Sequence, residues 1–177
     1  VALKLITPGS QAVTLADTKL HLNITDTASD TILGAYILAA QAHVEGVLGA
    51  PLSSETWEQS LDGFPCGAIR LLKQPITGIT SVKYDVDGVE TTLDPADYRT
   101  DLPGGRVWTD SSWPTADTLA SVRVRFTCGY TTVPAPLKAA VLLLVADLYA
   151  NREAKVENTL ARNATVDALL FPYRMML

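Results

Sequence analysis

Apolar residues recur every three or four positions at both ends of this chain and every second position in its middle, so helices flank a region of strands. Thr14 and Asp17 in "TLADTKLHLNI" have capping-box spacing and predict a short helix from Leu15 to about Leu22. Thr27 and Asp30 in "TASD" repeat that spacing and predict the start of a second helix. Behind it, Leu33, Tyr36, Ile37, Ala40, Val44, Val47 and Leu48 form one buried stripe. Gly49 and then Pro51 end that helix, through a left-handed cap and a missing amide. Between residues 52 and 130 the rhythm changes to short runs rich in β-formers: Thr56 to Leu61, Ile69 to Leu72, Ile79 to Val86 and Val122 to Phe126. "VRVRF" alternates strictly, which predicts one wet and one buried face. Asp87-Gly88, Pro103-Gly104-Gly105 and Trp113-Pro114 are turn signals between these runs.

Helical periodicity returns at Pro136, a good first-turn residue, and a last short helix is expected around residues 165–170. The stretch "AAVLLLVADLYANRE" is apolar on nearly every side. Leu137, Ala140, Val141, Leu144 and Leu148 make one stripe; Ala139, Leu142, Leu143, Ala146 and Ala150 make a second on the opposite side. Two explanations stand. The helix is central to its own subunit, or its second stripe packs against a neighbour, as obligate interfaces resemble a cut core.

A chain of 177 residues has the length of one domain, or of one domain with an insertion. Its 47% hydrophobic and 19% charged content marks it as globular. The net charge of −5 argues against a grip on nucleic-acid phosphates, which needs clustered Lys and Arg. The longest wholly apolar run, residues 139–146, falls short of the ~20 residues a bilayer requires, so no membrane span is expected. No signal peptide is read at the N-terminus. Two distant cysteines, Cys66 and Cys128, are no disulfide scaffold and suit a reducing compartment such as a bacterial cytoplasm.

Catalytic patterns are missing: no GxSxG, HExxH, Walker loop or GxGxxG occurs. His21 and His43 have no partner at ligand spacing, so no metal, no cofactor and no catalytic residue is expected, and the chain is read as no enzyme. "DVDGVE", from Asp85 to Glu90, resembles part of a calcium loop, but Ala96 stands where the closing acid belongs; a hairpin turn at Asp87-Gly88 explains it better. Asp94, Asp97 and Asp101 sit in turn-like contexts and read as solvated. Trp57, Trp108 and Trp113 all fall among the strands; they are core or interface anchors, or, as the rival reading, a carbohydrate- or protein-binding platform in a non-catalytic accessory module. Cys66 and Cys128 read as free buried thiols rather than a pair. The chain ends on "LLFPYRMML", an apolar strip either folded on its own core or inserted into another protein, with docking favoured.

In order along the chain, "TLADTKLHLNI", "DTILGAYILAAQAHVEGVLGAPL", "TWEQSLDGFP", "IRLLKQPITGITSVKYDVDGVETTLDPADYRTD" and "VRVRFTCGYTTVPAPLKAAVLLLVADLYANRE" resemble the head-tail connector (adaptor) proteins of tailed phages, a family also found in gene transfer agents. The resemblance spans nearly the whole chain. It implies an α+β fold: a bundle of three to four helices, residues 1–51 and 131–177, with a small antiparallel β module inserted at 52–130. It also implies a homo-oligomeric ring of about twelve copies at the neck of a virion or phage-like particle, assembled in the bacterial cytoplasm. Leu142, Leu143, Ala146 and Tyr149 would meet the neighbouring subunit. Leu170, Phe171, Tyr173, Arg174, Met175, Met176 and Leu177 would dock on the portal protein. A stopper or terminator would bind on the tail side, DNA would pass without sequence-specific binding, and no membrane is involved. The β region exceeds that of simpler connectors and is expected to make outward contacts.

Overall fold

The structure is a computed structural model that describes residues 1–151 and 164–174. Within them the chain runs β1 (Ala2–Thr7), α1 (Leu15–Leu22), α2 (Asp30–Leu48), β2 (Glu55–Leu61), β3 (Ile69–Arg70), β4 (Ile76–Val86), β5 (Val89–Thr92), β6 (Arg99–Asp101), β7 (Arg106–Trp108), β8 (Val122–Cys128), α3 (Ala135–Ala150) and α4 (Ala164–Leu170), with 3-10 turns at Pro95–Asp97 and Phe171–Tyr173. Four helices and two antiparallel sheets, in near-equal measure, make an α+β fold. This corrects the expectation of a helical bundle carrying a small β insert. The physical reason is that the sheet takes its edge strand, β1, from the N-terminus, where "ALKLIT" pairs antiparallel with β2. The chain clusters into two units, Val1–Gly9 with Ser54–Thr131 and Ser10–Ser53 with Thr132–Leu177.

In the first unit the five-stranded sheet has the order β1-β2-β8-β4-β5, and β3-β7-β6 form a second sheet. β8 lies at the centre of the larger sheet, and its alternation sorts its side chains. Val122, Val124, Phe126 and Cys128 are fully buried, while Arg123, Arg125 and Thr127 are half-buried on the other face. The buried set joins Ile69, Leu71, Ile76, Val82, Leu93 and Val107 in one core between the sheets. Gln59 stands among these apolar side chains and is itself buried. Its amide donates to Arg70 O at 2.8 Å and its carbonyl accepts from Leu72 N at 3.0 Å, which ties β2 to the segment that begins with β3. These two bonds satisfy the buried amide of Gln59, as buried polar side chains generally require.

The opposite face of β8 carries ions. Arg125 reaches Glu58, its registered partner on β2, at 2.7 Å. Arg123 holds Asp85 in a two-pronged contact at 2.8 and 2.5 Å and reaches Glu90 at 2.9 Å, and Lys83 closes on Glu90 at 2.6 Å. The Arg123 hydrogen bonds hold the Asp85 carboxyl below the usual range, and Lys83 followed by Arg123 does the same for Glu90. The Asp87-Gly88 turn joins β4 to β5 with both residues at positive φ, 51° and 75°, the geometry of a primed hairpin turn. That accounts for "DVDGVE" as a hairpin whose first acid pairs with Arg123.

The second unit is helical. The Thr14–Asp17 capping box forms, with Asp17 N donating to Thr14 Oγ1 at 3.0 Å, and Asn23 ends α1 in the left-handed conformation. The corresponding box expected at Thr27 does not form: Ser29 precedes α2 without a side-chain cap, and the Asp30 carboxylate binds Lys19 Nζ at 2.7 Å instead. Gly49 ends α2 at φ 70°. Leu33, Ile37, Ala40, Val44 and Leu48 are buried along one stripe, with Tyr36 and Val47 half-buried beside it. By length and composition α2 is apolar enough to cross a membrane; its buried stripe packs against α3, while Ile32 and Leu38 stay exposed. Gln41 and Glu45, one turn apart, clasp two loop segments. Gln41 accepts from Ala12 N at 2.9 Å and donates to Glu45 at 3.0 Å, Glu45 accepts from Leu52 N at 3.0 Å, and Ser53 Oγ donates to Ser10 O at 2.7 Å.

Both cysteines are free, but only Cys128 is buried; Cys66 is exposed, contrary to expectation, because it sits in a Gly- and Pro-rich loop. Burial, with Glu55 adding to it, pushes the Cys128 thiol up to about 12. Thiol titration of the native protein at pH 8 is therefore expected to count one fast-reacting group, rising to two on unfolding; two fast groups would contradict the packing around β8. Gln59→Ala is expected to cost about 1–3 kcal/mol in denaturant unfolding, since two hydrogen bonds of about 0.5–1.5 kcal/mol each are lost. Asp85 and Glu90 have folded pKa values below their unfolded ones, so their contribution is present above the ordinary carboxylate range and is lost as pH falls through the lowered folded values. Asp85→Asn is expected to flatten that acid limb in a pH series of thermal melts.

Candidate functional site

The residues expected at subunit contacts lie on α3. This helix packs against α2, α4 and α1, which explains much of its two-sided apolarity within the chain itself. Leu137, Ala140, Val141 and Val145 are buried. Leu142, Leu143, Ala146 and Tyr149 are half-buried and fall along the other side, with Ala139 preceding them. Neither stripe expected from periodicity is reproduced in full: Val145 belongs to the buried side, and Leu148 is 36% exposed. The Tyr149 hydroxyl lies 3.4 Å from Ser29 Oγ, which orients the ring near the start of α2.

Leu142 also lines a groove of about 470 Å³ with Val13, Asp17, Leu20, His21 and Lys138. Leu20 is 83% exposed, an unusual state for an apolar side chain on a helix. The Asp17 carboxylate accepts from Thr14 Oγ1 at 2.7 Å and from Thr14 N at 3.3 Å; these bonds lower its pKa and assign the group to the helix cap. Lys138 and His21 are exposed at the rim. Periodicity finds Leu142 but misses Leu20, because α1 and α3 meet only through tertiary packing.

At the C-terminal end the expected docking strip divides. Leu170 is buried with Val166 on the inner side of α4, whereas Phe171 is 69% exposed. Tyr173 and Arg174 are half-buried, and Arg174 pairs with Asp167 at 3.1 Å. Met175, Met176 and Leu177 lie outside the described residues.

The tryptophans do not form one platform. Trp113 stacks on Phe64 with ring centroids 4.8 Å apart and donates to Gly67 O at 2.9 Å. It lines a cleft of about 700 Å³ with Trp108. Trp57 is not in that lining; its indole donates to Glu55 and Lys73 lies over its ring. His21 and His43 are exposed on α1 and α2. Among the described residues no cluster of three His, Cys, Asp or Glu is placed to hold a metal.

Three comparisons bear on this arrangement. A family model of head completion proteins matches residues 11–167. No curated protein sequence matches. Among solved structures, a chain in the neck of an empty gene transfer agent (GTA) particle, computed with C6 symmetry, is similar at a TM-score of 0.83 and 26% identity, covering 100% of this chain and 97% of that one. A chain of the native GTA virion (TM-score 0.82) and one of the native GTA neck computed with C12 symmetry (0.81) are similar at the same identity and coverage. The match over nearly the whole length, through both the strands and the helices, establishes that this chain belongs to the head completion protein family.

Proposed function

We propose that this chain is a structural subunit of the neck joining head to tail in a phage-like particle, assembled head to tail into a ring of about twelve copies around a DNA passage. One observation carries this reading: end-to-end likeness, at 26% identity, to chains of particle necks solved with C6 and C12 symmetry. A ring of twelve is compatible with both symmetries. The half-buried flank of α3 supports it physically. Leu142, Leu143, Ala146 and Tyr149 are neither committed to the core nor given fully to water, and apolar surface in that state gains by being covered.

In this reading the ring sits between the portal protein and a tail-side stopper or terminator. Exposed Phe171, with Tyr173 and Arg174 behind it and the sequence Met175, Met176, Leu177 following, is the portal-docking strip. Leu170 supports the strip from within the unit's own core. The net charge of −5 suits a passage through which phosphate slides without being held.

Leu142→Asp is expected to reduce co-sedimentation with portal rings by more than about tenfold while the helical circular-dichroism signal is kept, because a half-buried leucine at a contact contributes roughly 1.5 kcal/mol or more. Phe171→Ser is expected to weaken portal binding without altering contacts between copies. Full co-sedimentation of both variants would remove the support for this reading.

A further inference from the structure

We propose that the groove between α1 and α3 receives the β4–β5 hairpin tip of a second copy, an inference that rests on the ring reading above. A ring built head to tail needs two different, complementary surfaces on one chain. The groove is one of them: apolar Val13, Leu20 and Leu142 form its lining, and Lys138 and His21 stand at its rim. Its acid, Asp17, is bonded into the α1 cap through Thr14, stays ionised, and interacts with Lys138 across the groove.

The hairpin tip is the other surface. Leu119 is 83% exposed and Val89 63% exposed, so two apolar side chains stand in water in this part of the β unit. Leu119 and Ala120 both have positive φ, 67° and 53°, a region that side chains bearing a Cβ seldom adopt. Five hydrogen bonds hold the loop there. Asp117 N donates to Asp85 O at 2.8 Å, Asp85 N to Ser121 O at 2.9 Å, and Ala120 N to Asp62 Oδ1 at 3.1 Å. The Asp117 carboxylate closes the set by accepting from Gly88 N at 2.9 Å, with a second bond from Asp87 N at 3.1 Å. Loop 117–121 and the hairpin turn are thus locked into one body that presents Leu119 outward.

Charge selects the occupant. Glu90 is neutralised by Lys83 and Arg123, but Asp62, Asp87 and Asp117 have no ion-pair partner among the described residues. An acidic collar thus surrounds the exposed leucine of the tip, while Lys138 and His21 edge the apolar groove. The two surfaces match in their apolar side chains, with Lys138 set against the acidic collar, and repetition of one such contact closes a ring when its rotation divides the circle. Complementary rims of this kind set partner choice and encounter rate more than affinity.

The test uses assembled particles carrying a Cys66→Ser background. Leu119→Cys together with Leu20→Cys is expected to give an oxidation-dependent ladder of covalent multimers, which neither single variant gives. In a second arm, Lys138→Glu is expected to lower neck occupancy by about fivefold, near the upper range for one exposed charge pair. Asp87→Asn, which suits the left-handed turn position, is expected to recover part of that loss. A purely structural role for Lys138 would not produce that recovery. Normal necks with no ladder and no coupling would overturn this contact and leave the ring reading intact. Particles whose neck holds this chain in no ring would overturn both.

Discussion

The burial of one face of β8 is the constraint on which the β unit rests. A central strand has neighbours on both sides, so Val122, Val124, Phe126 and Cys128 must satisfy two flanking strands and a second sheet at once. Period-two alternation leaves no freedom of register, since a slip by one residue would drive Arg123 and Arg125 into that core. The ions on the outer face then reinforce the same register from the other side. Arg125 meets Glu58 only if β2 and β8 are aligned as they are, and Arg123 meets Asp85 and Glu90 only if β4 and β5 are. Gln59 extends the constraint to the second sheet, because its amide fits the backbone of residues 70–72 in one position.

Much of this architecture was legible before any coordinates. The α1 capping box, the α2 stripe with its glycine stop, the alternation of β8 and the Asp87-Gly88 hairpin all follow from local chemistry, and each is found. What escaped was long-range. "ALKLIT" is too short and too exposed to signal a strand by itself; it becomes one because β2 offers an edge. Asp30 fits a second capping box by spacing, yet a cation on α1 takes its carboxylate. The stripes on α3 were drawn on an isolated helix, whereas three neighbouring helices decide which residues are covered, and they bring Val145 inward and leave Leu148 out. At the candidate surfaces, Leu142 is visible from periodicity and Phe171 from the apolar end of the chain. Leu20 is not, since its significance lies in standing beside Leu142.

The apolar surplus of α3 has a divided explanation. Its buried side is an ordinary core, and α4 and α1 shelter part of the remainder. Half-burial is informative in a protein expected to join a ring. A fully exposed apolar helix would aggregate before reaching its place, while a fully buried one would offer nothing to a neighbour. In the proposed ring, a flank shielded in part by its own chain would expose less apolar surface before assembly and still gain when covered. The tip of the β unit follows a different logic: its exposed leucine sits among carboxylates that keep the surface hydrated.

The clasp on α2 has a mechanical consequence. The chain crosses between its two units near Ser10 and near Ser53, and these two crossings are bonded to each other and to Gln41 and Glu45. Tension drawn along either strand is therefore divided between two backbones and delivered to α2 at two points, Gln41 and Glu45. Such shared anchorage resists the peeling of either loop from the helix, because neither crossing can be drawn away without breaking bonds held by the other.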